Sequence, residues 1–258
     1  MPIKISESNL GHPSGMLRKG VSAAGRTEEV AVLESLPVTE NPMLVLASNS
    51  PRRRQLLALA GWSFSVSAAN VDESLHVNES PADYVLRLAE TKARAVASQA
   101  HKDQIILAAD TTVVDEGYIL GKPKDAAEAV TMLTRLRGHT HQVYTGIALL
   151  LVSDGLLLTD HCITDVPMRK YSDEEIQAYV QTGDPLDKAG AYGIQHPQFR
   201  PVTEIKGCYA SVMGLPMCRV IRLMRKMDIE PNTDFFLRCE TLLEDDCAVS
   251  SAILSGAM

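Results

Sequence analysis

The sequence predicts an α/β protein, and two observations carry that expectation. Between about residues 42 and 228, apolar runs of strand length alternate with segments of helical length. The helical segments also open on recognisable capping residues. In chain order, Met43–Ala47 is the first apolar run and opens the domain as a strand. Ser50 is placed as an N-cap with Pro51 at the first helical position, predicting a helix near 51–60. A strand near 64–68 follows, then Ser80-Pro81 repeats the arrangement for a helix near 81–100. Apolar runs near 105–109 and 112–115 read as two strands, and Asp125 caps a helix near 125–136. Strands near 143–152 and 157–168 are joined by Asp154-Gly155, a hairpin turn pair. Ser172 to Glu175 has capping-box spacing for a helix near 172–182. A strand near 202–213 and a helix near 215–226 complete the expected order, and there is no internal repeat.

The 258 residues fit one large domain with tails, and a hydrophobic content of 45% is ample for a core. Residues 1–41 mix Ser, Gly, Pro and charge without periodicity, and read as a disordered extension or, less directly, a transit peptide. Residues 229–258, with Glu244, Asp245 and Asp246, read as a peripheral tail with one loose helix. Lys and Arg number 25 against 32 Asp and Glu, a net charge of −7. Such a molecule repels nucleic acid and anionic membranes, so any anion site must be local. The five cysteines are odd in number and lack metal-ligand spacing, which argues against a disulfide framework and structural zinc and points to a cytoplasmic location. The longest apolar run, around Ile147–Val152, is far short of the roughly 20 residues of a membrane helix.

Four segments carry candidate chemistry. Ser48-Asn49-Ser50-Pro51-Arg52-Arg53-Arg54 puts three arginines in the first turn of a helix. The partial positive charge there disfavours them unless an anion is bound, phosphate being the natural one; the alternative is solvated surface charge. Ile105–Ala109 ends abruptly at Asp110-Thr111. A carboxylate at a strand end can hold a divalent cation or take a proton from water, or simply cap a turn. Gly121-Lys122-Pro123 offers a lysine in a turn, which reaches phosphate as a point charge or is only a turn. Asp187–Gln195 is rich in small residues, and its terminal amide could read a base edge; its glycines could equally serve turn geometry. Lys92 and Asp72-Glu73 add a cation and carboxylates. His139 and His141 suggest either a metal or an exposed turn.

In this order, the segments resemble the Maf family of nucleoside triphosphate pyrophosphatases, from about Leu44 to Met227. The matching residues are Ala47–Arg53, Val71-Asp72-Glu73, Arg87-Leu88-Ala89 with Lys92-Ala93, Ala109-Asp110-Thr111, Gly121-Lys122-Pro123, Asp187–Gln195 and Gly214-Leu215-Pro216. The resemblance implies an elongated two-lobed α/β fold with a mixed, curved sheet and a central cleft, similar to inosine triphosphate pyrophosphatases, in place of a doubly wound sheet. It implies a homodimer, hydrolysis between the α- and β-phosphates, and Mg²⁺ or Mn²⁺ as cofactor. By motif position Asp110 matches the proton acceptor, Arg52, Thr111 and Gln195 match substrate-specificity positions, and Glu73, Lys92 and Lys122 match cleft residues near metal and phosphates. Glu73 and Asp110 are thereby expected to hold the metal, and Ser48, Arg53, Lys92 and Lys122 the phosphates. Ser-Pro-Arg-Arg, Ala-Asp-Thr and Ala-Tyr-Gly-Ile-Gln resemble the dTTP/UTP branch, so a pyrimidine nucleoside triphosphate, canonical or modified, is the implied substrate. One departure is His196-Pro197, where the family usually has glycine after the glutamine. The competing classes are a nucleotide-binding regulator of cell division or septum formation with little turnover, and a nucleic-acid-binding module; net charge and an aromatic content of 5% argue against the latter.

Overall fold

The computed structural model describes residues 44–205, 207–243, 247 and 249–255. The expected N-terminal extension 1–41 and the acidic run Glu244–Asp246 lie outside the described residues. Six strands form one mixed sheet: β1 (Leu44–Leu46), β2 (Phe64–Val66), β3 (Ile105–Asp115), β4 (Tyr118–Leu120), β5 (Thr140–Leu151) and β6 (Leu157–Pro167). Their order is β2-β1-β3-β5-β6, with β4 beside the far end of β3. β1 runs parallel to β2 and β3, whereas β3, β5 and β6 are antiparallel neighbours. The helices are α1 (Pro51–Ala58), α2 (Pro81–Ala97), α3 (Ala126–Leu136), α4 (Asp173–Gln181), α5 (Tyr209–Met213), α6 (Met217–Arg225), α7 (Phe235–Leu243) and α8 (Ser250–Ser255).

Local capping chemistry sets four of the helix starts. Ser50 accepts from the Arg53 amide at 3.4 Å, Ser80 from Asp83 at 3.1 Å and Asp125 from Glu128 at 2.8 Å. At α4, Ser172 and Glu175 each accept from the other's amide, completing the capping box. Asp154-Gly155 turns β5 into β6 as expected.

Three expectations need correction. The runs 105–109 and 112–115 form one strand of 11 residues, because β5 pairs with it continuously from Ile105 to Val114. Residues 202–213 make a single bridge, Val202 to Met168, and then the helix α5. Gly214, at φ +109°, ends that helix in the left-handed region and Pro216 follows, so α6 begins at Met217, within two residues of the expected start. The segment beyond 228 is not peripheral: Phe235, Cys239 and Ile253 are buried in the same core as Leu56 and Leu57 of α1. Asn232 and Thr233 donate to the Ala60 and Leu59 carbonyls, and Trp62 donates to the Glu230 carbonyl. The carbonyls of the turn that follows α1 are thus satisfied from the C-terminal segment.

Alternation along β3 divides the core. Ile105, Leu107 and Ala109 face α1 and the C-terminal helices, while Ile106 and Ala108 face Ala89, Ala93 and Val96 of α2. Val113 belongs to a further cluster with Leu133 of α3 and Ile176 of α4. Helix α2 lies directly on the sheet at Gly146, where a Cβ would stand 2.5 Å from the Val85 carbonyl oxygen. Gly146 is also the β5 partner of Asp110. The missing side chain at 146 therefore decides how closely α2, with Lys92, approaches Asp110.

Candidate active site

The site lies in a gap along one edge of β3. β1 pairs with that edge as far as Leu107, and β4 takes it up again at Val113. Ala108–Thr112 have no strand partner there, and a cleft of about 660 Å³ opens beside them, a volume suited to a small-molecule ligand. All nine residues singled out from the sequence line it: Ser48, Arg52, Arg53, Glu73, Lys92, Asp110, Thr111, Lys122 and Gln195. Five lysines and arginines face four carboxylates in the lining, so the cleft is slightly cationic within an anionic molecule.

Lys92 is the centre of the charged group. Its Nζ lies 2.6 Å from Asp110 Oδ1 and 2.6 Å from Glu73 Oε1. Burial raises the Asp110 pKa above the ordinary carboxylate value, against the pull of Lys92 and Arg53. Burial acts the same way on Glu73, but the Lys92 hydrogen bond and charge, with Lys122 and Arg53, outweigh it and hold that carboxyl below its usual range. Glu73 sits on a loop that is tied down in two places. Tyr84 Oη donates to the Glu73 carbonyl at 2.9 Å, and Arg87 donates to the Ser74 carbonyl at 3.0 Å while forking onto Glu79.

The N-terminus of α1 forms an adjacent wall. Arg53 is half-buried and committed: its Nε donates to the Gly214 carbonyl at 2.8 Å, Nη1 to Ser48 Oγ at 3.3 Å and Nη2 to Thr111 Oγ1 at 3.1 Å. Three of its five N–H groups thus stitch β1, β3 and the α5–α6 turn together, leaving two for a ligand. Gly214 must lack a side chain, since a Cβ would meet Arg53 Nε at 3.2 Å and Thr111 Oγ1 at 3.3 Å. Thr111 is equally occupied. Thr145 gives its hydroxyl hydrogen to the Ser211 carbonyl, so Thr111 donates to Thr145 and accepts from Arg53. Ser48, Arg53 and Thr111 therefore form a mutually bonded frame, whereas the Arg52, Lys122 and Gln195 side chains have no hydrogen-bond partner among the described residues and line the cleft. Arg54 is exposed and outside the cleft lining.

At the opposite wall, Lys188 also faces the cleft but is held by the Asp184 carbonyl at 2.7 Å, Asp184 Oδ1 at 2.8 Å and Asp187 Oδ1 at 2.6 Å. Gln195 follows this cluster on the same loop. Tyr84 and Asp184 line the cleft too and were not singled out from the sequence; only their spacing from Lys92 and Lys188 on helical turns could have hinted at them. His139 and His141 lie outside the cleft lining; His139 is exposed in the bend before β5, as expected, whereas His141 is not. β5 begins at Thr140, which buries His141 against Tyr192 Oη at 2.8 Å, and His139 pairs with Asp115 at 2.7 Å.

A helix N-terminus, unpartnered cations and a pair of carboxylates sharing one ammonium define a site for a compact ligand with clustered negative charge. The chain belongs to the Maf-like protein family, whose profile matches residues 43–227. It is 44% identical to a protein of Dehalococcoides mccartyi (strain ATCC BAA-2266 / KCTC 15142 / 195) named dTTP/UTP pyrophosphatase, over 84% of this chain and 95% of that one. Proteins of the same name from Bacillus cytotoxicus and Hahella chejuensis are 48% and 46% identical, over 71% and 72% of this chain and 95% and 93% of theirs. The structure of the Staphylococcus aureus Ham1 protein aligns over 49% of this chain and 71% of that one at 16% identity, with a TM-score of 0.36, too low to bear on the argument. Among the described residues no helix is long and apolar enough to cross a membrane.

Proposed function

We propose that this protein hydrolyses dTTP and UTP, with modified pyrimidine nucleotides as further candidates, to the nucleoside monophosphate and pyrophosphate. The observation that carries the reading is the placement of Asp110: a buried carboxylate in the sheet gap, between the α1 N-terminus and the Gln195 loop. The names of the relatives supply the substrate class. In this reading Asp110 takes a proton from water as its oxygen attacks the α-phosphorus. The bond from that phosphorus to the bridging oxygen breaks, and pyrophosphate leaves with the electron pair. Arg52, Lys122 and the free N–H groups of Arg53 neutralise the phosphates, Lys92 holds Asp110 and Glu73 in place, and Gln195 meets the base.

Two carboxylates with oxygen donors suit a hard divalent cation. Among the described residues no group of three or more His, Cys, Asp or Glu could complete a metal site alone. Glu73 and Asp110 would therefore hold Mg²⁺ or Mn²⁺ together with phosphate oxygens and water, as Mg²⁺ sites commonly do. Bound there, the ion would supply charge neutralisation on the triphosphate. A cytoplasmic homodimer that does not bind nucleic acid is part of the same proposal.

Pyrophosphate release from a panel of triphosphates, with Mg²⁺ or Mn²⁺ and after exhaustive chelation, tests the reading. Asp110→Asn should lose roughly 10³-fold or more in kcat while keeping its circular dichroism spectrum. Near-normal turnover of that variant removes Asp110 as the base, and an undiminished rate after chelation removes the metal. No turnover with any triphosphate points instead to a nucleotide-binding regulator.

A further inference from the structure

Gln195 is exposed and its side chain has no hydrogen-bond partner among the described residues, so some other group must hold its amide at a defined place if it is to select a base. The loop around it answers to one side chain. Tyr179 sits on α4 and is buried with Ile176 and Val180, where its ring alone would read as ordinary core. Its hydroxyl, however, accepts from the Gly193 amide at 2.8 Å and donates to Asp184 Oδ2 at 2.6 Å. Asp184 in turn receives Lys188, whose three ammonium hydrogens are all taken up by Asp184 and Asp187. Gly193 rests directly on this cluster, since a Cβ there would lie 3.0 Å from Lys188 Cε and 3.3 Å from Asp184 Oδ2.

The same tyrosine holds the loop again just beyond Gln195. The His196 ring meets the Tyr179 ring edge-on, with centroids 4.6 Å apart, and Phe199 stacks on it at 4.3 Å with 14° between planes. His196 Nδ1 accepts the Phe199 amide at 3.0 Å, and the His196 amide returns to the Gly193 carbonyl at 3.1 Å. Residues 193 and 196 are thus fixed to one side chain and to each other, with Gln195 carried between them. His196, the residue that departs from the usual family glycine, is part of this clamp.

We propose that Tyr179 is a positioning residue for base selection, acting through Gln195 without touching the substrate, an inference that rests on the pyrimidine triphosphate reading above. Charge neutralisation at the other wall does not depend on it, so loss of the hydroxyl should degrade discrimination between bases rather than phosphate chemistry.

The test is a double-mutant cycle with Tyr179→Phe and Gln195→Ala in the full chain. Tyr179→Phe keeps the ring contacts with His196 and Phe199 and removes both hydrogen bonds. Selectivity is read as the ratio of kcat/KM for dTTP to that for dCTP and dATP, with kcat and KM separated. In parallel, the ratio of dissociation constants is measured with the α,β-methylene analogues of the same nucleotides. The expected result is a selectivity ratio narrowed about tenfold through KM for dTTP, kcat within a few-fold, and no further narrowing when Gln195→Ala is added. A ratio unchanged within twofold, or narrowing that adds in full to that of Gln195→Ala, overturns the proposal. Should Tyr179→Phe not fold, Asp184→Ala breaks the same network from a side chain 34% exposed and is read in the same cycle. A wild type that binds the pyrimidine analogues selectively without turnover fails the hydrolase reading alone. One that binds them without selectivity overturns this proposal as well.

Discussion

Gly146 sets the distance between the two halves of the charged group, which makes Gly146→Ala a sharp perturbation. The new Cβ would lie 2.5 Å from the Val85 carbonyl oxygen, 2.6 Å from its carbon and 2.8 Å from the Leu86 amide nitrogen. All three are backbone atoms of α2, so no side-chain rotation relieves the contact. Ordinary contact at about 3.5 Å or more requires the helix to move away by roughly 1 Å. Overpacking of this kind costs about 1–3 kcal/mol, or roughly 3–10 °C in Tm for a domain of this size. The functional effect should be larger than the thermal one suggests. Lys92 rides on α2 and holds Asp110 and Glu73 at 2.6 Å each, and a displacement of this size at a reacting group costs on the order of 10–100-fold in kcat. Steady-state pyrophosphate release and differential scanning calorimetry measure the two effects. Gly155→Ala is the control: its φ of +73° strains an alanine by about 1 kcal/mol, yet nothing lies within 4 Å of the new methyl group. It should lower Tm comparably and leave kcat unchanged. A Gly146→Ala enzyme with kcat within twofold of wild type would refute the coupling of helix packing to the site.

Arg53→Lys retains the charge but not the fork, so Gly214, Ser48 and Thr111 cannot all be served by one ammonium; kcat/KM should fall about 100-fold in steady-state assays, with Arg54→Ala silent. Glu79 supplies a pH dependence: hydrogen bonds from Arg87 hold its carboxyl at about 2, against 4.5 in the unfolded chain. Because the folded value is depressed, its stabilisation is complete above about pH 4.5 and is lost as pH falls towards 2. The difference in urea midpoint between wild type and Glu79→Gln should therefore be constant near neutrality and shrink through that window. Phe235→Ala empties a site only 1% exposed and should cost about 3–5 kcal/mol by urea denaturation, although it lies beyond the family match.

Features governed by neighbours in the chain were legible before the structure. Ser50, Ser80, Asp125 and Ser172 mark helix starts because a capping oxygen reaches an amide three residues on, and Asp154-Gly155 marks a turn for equally local reasons. That nine residues would gather in one place was legible through motif order, and all nine line the cleft. What each does there was not. That Arg53 and Thr111 bond to Gly214 and Thr145 follows from contacts across 34 to 161 positions of chain, which no local pattern encodes. The gap in β3 arises from two partners that share one edge and stop short of each other. Residues 202–213 misled because a short apolar run has no period to separate a strand from a turn of helix. Phe235 was hidden for a related reason: the short run Phe235-Phe236-Leu237 does not declare which of its side chains is buried, and only Phe235 is.

The docked C-terminal segment separates two units that sequence comparison tends to merge. The family profile ends at Met227, but the buried core runs on to Ile253. The turn that follows helix α1 has its carbonyls closed by Asn232 and Thr233, and Phe235 lies in the same buried core as Leu56 and Leu57 of that helix. A chain cut where the profile ends would keep every catalytic candidate and lose the hydrogen bonds that close the turn behind the helix presenting two of them. In this protein the border of the profile and the border of the packed core therefore fall at different residues.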